Sequence, residues 1–329
     1  MGADKQALDA IFKEVFEEGV SEGVNQANPL RDLIKTERVP FKGLEIVKLM
    51  HTSRNVSPMF VGEDGAFADA GQQGYVRFAI NQKKLMSRLR MTWEVMQDST
   101  STEGAFISAR KSEMQYLIDD MAHRDEHALN SDGRGVLGLV DEATPNGDTT
   151  LELDAPGGIT NDNFGNRYFS NGMYIAFVNP NTGGLRASTT KAKVVAINTD
   201  GTDVTVDAAA NIGATTANSD YVVQAANSSV TDVLDTSYEH AWWGVMALVD
   251  DGTYRANYFG AVRADVPATS AYVTASTGAL STDLMQRVSD VVDQKLKGKV
   301  GIILCHHSTR RLVIQLTDGD RRYSGPQLI

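Results

Sequence analysis

The sequence holds one cysteine in 329 residues. An internal disulfide framework needs at least two and a multi-cysteine zinc module more, so both are excluded. Basic residues are in deficit: Lys and Arg number 31 against 42 Asp and Glu, a formal net charge of −11. A chain that binds free nucleic acid usually carries the opposite sign. No apolar run approaches the ~20 residues that a membrane-spanning helix needs. The opening MGADKQALDAIFKE is acidic and lacks the charged-then-apolar layout of a secretion signal. With 42% apolar and 22% charged residues, the balance argues against wholesale disorder. The expectation is a soluble cytoplasmic protein, long enough for two or three domains.

Periodicity then divides the chain. In residues 1–22, Leu8, Ile11, Phe12, Val15 and Phe16 form one helical stripe, opposite Asp4, Lys5, Asp9, Lys13 and Glu14. A helix this short is marginal alone and must dock on something. Residues 24–60 read as extended, broken by Pro29, Pro40 and Pro58, and a glycine-rich loop follows at 61–73. From there the period is two. Val76, Phe78 and Ile80 alternate with Arg77, Ala79 and Asn81, and Leu85, Leu89, Met91 and Trp93 continue the alternation. This predicts a β-hairpin of two long strands. It carries Arg77, Lys83, Lys84, Arg88 and Arg90, with no acid between 77 and 90. Two readings stand: a basic ribbon lying on an acidic partner surface, or an edge hairpin on the chain's own sheet.

Thr100 and Glu103 form a capping box ahead of Phe106, Ala109, Met114, Leu117, Ile118, Met121, Ala122 and Leu129. The spacing predicts a long helix ending near Asn130, with Gly133 and Gly135 just beyond. Residues 141–235 hold 12 acids and 4 bases, a net of −8. Short β-rich runs at 173–178, 193–198, 203–207 and 220–225, with an Asp-Gly turn at Asp200-Gly201, predict an inserted small barrel or sandwich. In the tail, Ser281 is a plausible cap for a helix carrying Leu284, Val288, Val291, Val292 and Leu296. VGIIL at 300–304 reads as a buried strand, and Ser308 or Thr309 as the cap of a second helix with Leu312, Val313 and Leu316.

Candidate chemistry is sparse. Gly133, Gly135 and Gly138 spell GxGxxG, but the dinucleotide fingerprint joins a strand to a helix and this one follows a helix end, so a turn is the better reading. Cys305, His306 and His307 are adjacent at a strand end, where side chains alternate faces; packing is favoured over a metal site or a thiol–imidazole pair. His123 and His127 flank Glu126 in an order unlike the zinc-protease motif, so they read as a solvated helix face. Trp242, Trp243, Tyr254, Tyr258 and Phe259 form either a ligand platform or, more commonly, a sheet or interface core. No nucleophile elbow, phosphate loop or catalytic carboxylate pair is present. No enzyme activity, cofactor or metal is expected.

The order of parts resembles the major capsid proteins of tailed bacteriophages, the Hong Kong 97-type fold. The residues that carry the likeness are VGEDGAFADAGQQGYVRFAINQKKLMSRLRMTWEVM at 61–96, TEGAFISARKSEMQYLIDDMAHRDEHALNSDGRGVLGLV at 102–140, YFGAVRADVP at 258–267 and LSTDLMQRVSDVVDQKLKGKVGIILCHHSTRRLVIQL at 280–316. The resemblance implies an α+β capsid fold: an N-terminal arm (1–58), an extended β-hairpin loop (59–98), a spine helix opening the peripheral domain (99–144), an inserted β-rich domain (145–235), peripheral strands (236–266) and an axial domain (267–329). It implies hexamers and pentamers of the chain itself in an icosahedral shell. That shell would enclose packaged double-stranded DNA without sequence-specific binding. Portal, scaffolding and decoration proteins are the further partners it implies. There is no membrane partner, assembly takes place in the host cytoplasm, and the final location is the virion. Arg77, Lys83, Lys84, Arg88 and Arg90 would then contact the neighbouring subunit. The alternatives are an encapsulin-like compartment shell, an enzyme built on Cys305 with His306 or His307, and a binding module built on 145–235.

Overall fold

The computed structural model describes residues 30, 31, 34, 43, 45–90, 92, 109–142, 148–159, 164–187, 191–213, 215–273, 280–296, 300–305 and 307–318. The chain divides into two compact units, Met1–Tyr272 and Val273–Ile329. The helix expected in 1–22 and the Thr100–Glu103 capping box lie outside the described residues.

The first unit is built around a closed antiparallel barrel of six strands, β3 (Val136–Val140), β4 (Thr150–Asp154), β5 (Tyr174–Val178), β6 (Ala192–Ile197), β7 (Asp203–Val206) and β8 (Tyr221–Gln224). Their order around the barrel is β3-β4-β7-β6-β5-β8. The four runs read from the sequence are β5 to β8. The other two strands complete the ring upstream, so the barrel begins at Val136, ahead of residue 145. In β4 and β7 the pattern is alternating: Leu151, Leu153, Val204 and Val206 point inward while Glu152 is exposed. With Leu137, Val140, Phe169, Ile175, Phe177, Val194, Ile212 and Val222 they fill the interior, so the barrel is packed and holds no lumen. The β3, β5 and β8 wall is apolar on both faces. Its outer side, Val136, Ala176, Val178 and Val223, packs against Ala225, Val230 and Tyr238 in a second small core. The Asp-Gly turn between β6 and β7 is as expected, with Gly201 at φ 95°.

Helix α1 (Ala109–Asn130) leads into the barrel. It ends where the glycines stand. Ser131 Oγ donates to the Ala128 carbonyl at 3.1 Å and accepts from Gly133 N at 3.2 Å. Gly135 has φ 72°, and a Cβ there would lie 2.1 Å from the Ser237 carbonyl oxygen. Left-handed backbone and close approach both demand glycine, so Gly133 and Gly135 are turn residues and Gly138 lies within β3. The C-terminal half of α1 is the buried half, through Ala122, Asp125, His127 and Ala128. His127 is therefore not on a solvated face, contrary to the sequence expectation. Its Nε2 lies 2.9 Å from the Val136 carbonyl and its ring 4.1 Å from that of Tyr168. Burial, helped by the nearby Arg124 and opposed by the Val136 carbonyl, pulls its pKa down to about 4. His123 is exposed.

The predicted ribbon pairs in the other direction. β2 (Gly74–Asn81) is the strand read from alternation, but its partner is β1 (Glu45–Ser53), upstream of it. The register runs from Glu45↔Asn81 to Ser53↔Gly74, with an irregularity between His51 and Ser53. Residues 82–90 form no strand. Residues 85–90 alternate without a ladder to join, whereas β1 has one. Residues 54–73 connect the two strands without regular structure. The base of the hairpin is fastened. Phe78 is buried with Ala261 and Val266, and Ala79 N donates to the Phe259 carbonyl at 3.0 Å. Phe259 belongs to a tight turn, with Gly260, between β9 (Asn257–Tyr258) and β10 (Ala261–Val262). Below it, Arg263 is fully buried and donates to the carbonyls of Arg255, Asp250, Thr269 and Ala247. A single helical turn, α2 (Val245–Leu248), follows the second small core in sequence.

The second unit holds α3 (Thr282–Leu296) and α4 (His307–Asp318). Ser281 caps α3 as expected, its Oγ accepting from Leu284 N at 3.1 Å. The strand expected at 300–304 is absent: these residues have no regular structure, and Val300, Ile302, Ile303 and Leu304 are exposed. An apolar run becomes a buried strand only where a sheet receives it, and no sheet among the described residues does. α4 begins at His307, ahead of the expected Ser308 or Thr309 cap.

Candidate functional site

Two places in the first unit stand out, and they are joined by one lysine. The first is a recess of about 360 Å³ lined by Arg134, Tyr221, Tyr238, Glu239, Trp243, Tyr254 and Arg255. Three segments build it. The turn after α1 brings Arg134, whose Nε lies 3.0 Å from Asp132 Oδ2 and whose guanidinium is 5.3 Å from the Tyr221 ring centroid. Arg134 also donates to the Tyr221 hydroxyl and the Tyr254 carbonyl. The stretch that opens with β8 brings Tyr221 and, beyond the barrel, Tyr238, Glu239 and Trp243; the two tyrosines stack with centroids 6.2 Å apart. The loop after α2 brings Tyr254 and Arg255, and the buried Asp250 fixes it by accepting from both their backbone amides.

Arg255 is the centre of this arrangement. Its Nε donates to the Asp132 carbonyl at 3.0 Å and its Nη1 to both carboxylate oxygens of Glu239 at 2.9 Å. The guanidinium lies 5.5 Å from the Trp243 centroid. Its Nη2 is buried with no hydrogen-bond partner among the described residues, an arrangement that typically costs ~1–3 kcal/mol. Glu239 stands at φ 59°, in the left-handed region, with its side chain 44% exposed. Burial raises the pKa of Asp132, against the pull of Arg134; burial and then Glu239 raise that of Tyr238. The recess can take up a small anionic or planar group, and its hydrogen-bond donors exceed its acceptors at one atom.

The aromatic set read from the sequence divides. Trp243 and Tyr254 line the recess. Trp243 also stacks on Phe259 at 4.3 Å, and Tyr258 meets Phe78 edge-on at 5.5 Å, so this side is core beneath the hairpin. Trp242 carries Arg31 at 5.9 Å from its ring, and Arg31 pairs at 2.6 Å with the buried Asp125 of α1. Sequence reasoning missed Arg134, Tyr221, Tyr238, Glu239 and Arg255. They lie on segments far apart in sequence, and no motif links them.

The second place is the hairpin beyond its base. Leu49, Val56, Met59, Phe60, Phe67 and Tyr75 are exposed, Phe60 completely and Phe67 at 91%. Val56, Met59, Phe60 and Phe67 lie on the connection between the strands, and Leu49 and Tyr75 on the strands themselves. The five basic residues are dispersed. Arg77 pairs with Glu45 across the hairpin at the surface. Lys83 donates to the Glu239 carbonyl, tying the segment after β2 to the recess. Lys84, Arg88 and Arg90 are exposed. Cys305 is exposed as well; His306 lies outside the described residues. Among the described residues, no cluster of His, Cys, Asp and Glu could hold a metal, and no helix is long and apolar enough to cross a membrane. No protein-family model, curated protein or solved structure matches the chain.

Proposed function

We propose that this chain is a shell-building subunit, the major capsid protein of a tailed bacteriophage with the Hong Kong 97-type fold. In this reading copies assemble as hexamers and pentamers around packaged double-stranded DNA, and the virion is the final location. The observation that carries the reading is the hairpin: a base fastened to its own chain and a tip of exposed apolar side chains. Burying one such side chain contributes ~1.5–3 kcal/mol. Val56, Met59, Phe60, Val61 and Phe67 together offer on the order of 10 kcal/mol before the entropy of association is subtracted. A connection as long as 54–73 without its own secondary structure is uncommon unless it has a task. The exposed Ile302, Ile303 and Leu304 of the second unit are further apolar surface for neighbours to cover. Charge fits as well: residues 31–90 hold 11 bases and 6 acids, against −8 in 141–235. Opposite patches on identical subunits give complementary head-to-tail contacts. The barrel would stand outward, and portal, scaffolding and decoration proteins would be the additional partners.

Negative-stain microscopy of the purified chain tests this, with hollow particles or capsomers expected. Monomers alone, across salt and concentration, would overturn it. A paired Arg88→Glu, Arg90→Glu variant is expected to assemble less while folding normally. Nucleic acid inside native particles supports the phage reading, and a cargo enzyme inside them would replace it with a compartment shell.

A further inference from the structure

The Arg255 recess has the features of a site whose occupant is provisional. Glu239 offers Arg255 a bidentate carboxylate, yet does so from a left-handed backbone and with its side chain 44% exposed. The second terminal nitrogen of Arg255 donates to no partner among the described residues. Lys83, from the segment after β2, holds the Glu239 carbonyl, so any shift of that segment is felt at Glu239.

We infer that the Arg255–Arg134 recess is a receptor for an acidic side chain of a second copy of this chain, with Glu239 as the in-chain stand-in until that carboxylate arrives. The identity of the occupant rests on the shell-subunit reading; the site itself does not. A carboxylate is the matching group because a guanidinium fork binds it through two parallel charge-assisted bonds, and one terminal nitrogen of Arg255 is buried without a partner among the described residues. With Glu239 turned away, Arg134, Arg255 and Lys83 outnumber Asp132 and Asp250, so a visiting carboxylate takes up the charge that Glu239 leaves. Trp243 and Tyr238 line the same recess, and the Arg255 guanidinium lies 5.5 Å from the Trp243 centroid. A long polyanion such as nucleic acid is disfavoured by the chain's net charge of −11, whereas a single side chain is not. A second copy brings such groups in its acid-rich turns, where Asp148 and Asp200 are exposed.

The probe is the capped tripeptide acetyl-Gly-Glu-Gly-amide, titrated by calorimetry and tryptophan emission, with its Gln twin and inorganic phosphate as controls. In Glu239→Gln, where the stand-in carboxylate is removed, the Glu peptide is expected to bind at least tenfold more tightly than to the parent chain. Adding Arg255→Lys, which keeps the charge but not the fork, is expected to reverse this gain; circular dichroism checks that each variant is folded. Should the Lys variant fail to fold, the Gln twin serves as the specificity control, with no saturable binding expected. Absence of saturable Glu-peptide binding to Glu239→Gln overturns the site whether or not the chain assembles. Phosphate binding more tightly than the peptide overturns the carboxylate assignment. The Glu peptide is further expected to slow particle formation by the parent chain while the Gln twin does not. Binding without that inhibition overturns the second copy as occupant. Binding by a chain that never forms particles overturns the shell reading and leaves the receptor standing.

Discussion

The barrel and the β1–β2 hairpin are both antiparallel sheet, yet every barrel strand has two neighbours and each hairpin strand has one. The consequence runs through every level. Barrel closure removes its edges, and its inward apolar side chains, Leu151, Ile175 and Val204 among them, are fully buried by the chain itself. Among the described residues the hairpin strands pair only with each other, apart from the Ala79 bond to Phe259, and the hairpin sends Leu49, Phe60 and Phe67 into solvent. A module of the first kind is complete alone, while one of the second kind draws its stability from its base and leaves its tip for another surface. The two regions should therefore answer mutation in opposite ways, on folding in one case and on assembly in the other.

The largest effect on folding is expected where the hairpin base is anchored. Arg263→Met removes the donor to four carbonyls in a fully buried position. Leaving buried acceptors unpaired is expected to lower unfolding free energy by ~3–5 kcal/mol, measured by urea denaturation. In the barrel, Leu151→Ala opens a cavity in the packed interior and is expected to lower it by ~3 kcal/mol in the same assay. If the two variants unfolded in separate transitions, the hairpin base and the barrel would be independent units rather than one.

The junction of α1 with the barrel adds a pH test. His127 is buried neutral, with a folded pKa of about 4 against 6.5 unfolded. The unfolded chain therefore binds the proton first. Stability is fully present above pH 6.5 and falls as pH drops toward 4, by up to ~3 kcal/mol. Thermal melts of His127→Gln are expected to flatten this part of the pH profile. An unchanged profile would assign the acid sensitivity to other groups.

How much of this was legible follows from where each signal resides. Strands β5 to β8 were readable because each is a short apolar run fenced by Gly, Asn or Asp. β3 was not: VLGLV is apolar throughout, since Leu137 faces the barrel interior and Val136 the second core, and periodicity is silent on a strand buried on both faces. β2 announced itself by alternation, but β1 does not alternate cleanly, with Val47, Lys48 and Leu49 all exposed. Alternation at 85–93 therefore drew the pairing in the wrong direction. The burial of His127 depends on Tyr168 and Val136 arriving from the barrel, which no local window contains. The recess was half visible: Trp243 and Tyr254 came from the aromatic cluster, whereas Arg255 gains its meaning only from the distant Asp132 and Glu239.

The smallest expected effect on folding tests the central claim most directly. A Phe60→Asp, Phe67→Asp double variant changes only exposed side chains, so its unfolding free energy in urea should match that of the parent within ~0.5 kcal/mol. Sedimentation velocity on the two proteins side by side should then show large assemblies for the parent and slow, subunit-sized material for the variant. Identical assembly by both, or loss of folding in the variant, would mean that the hairpin tip is not where one copy meets the next.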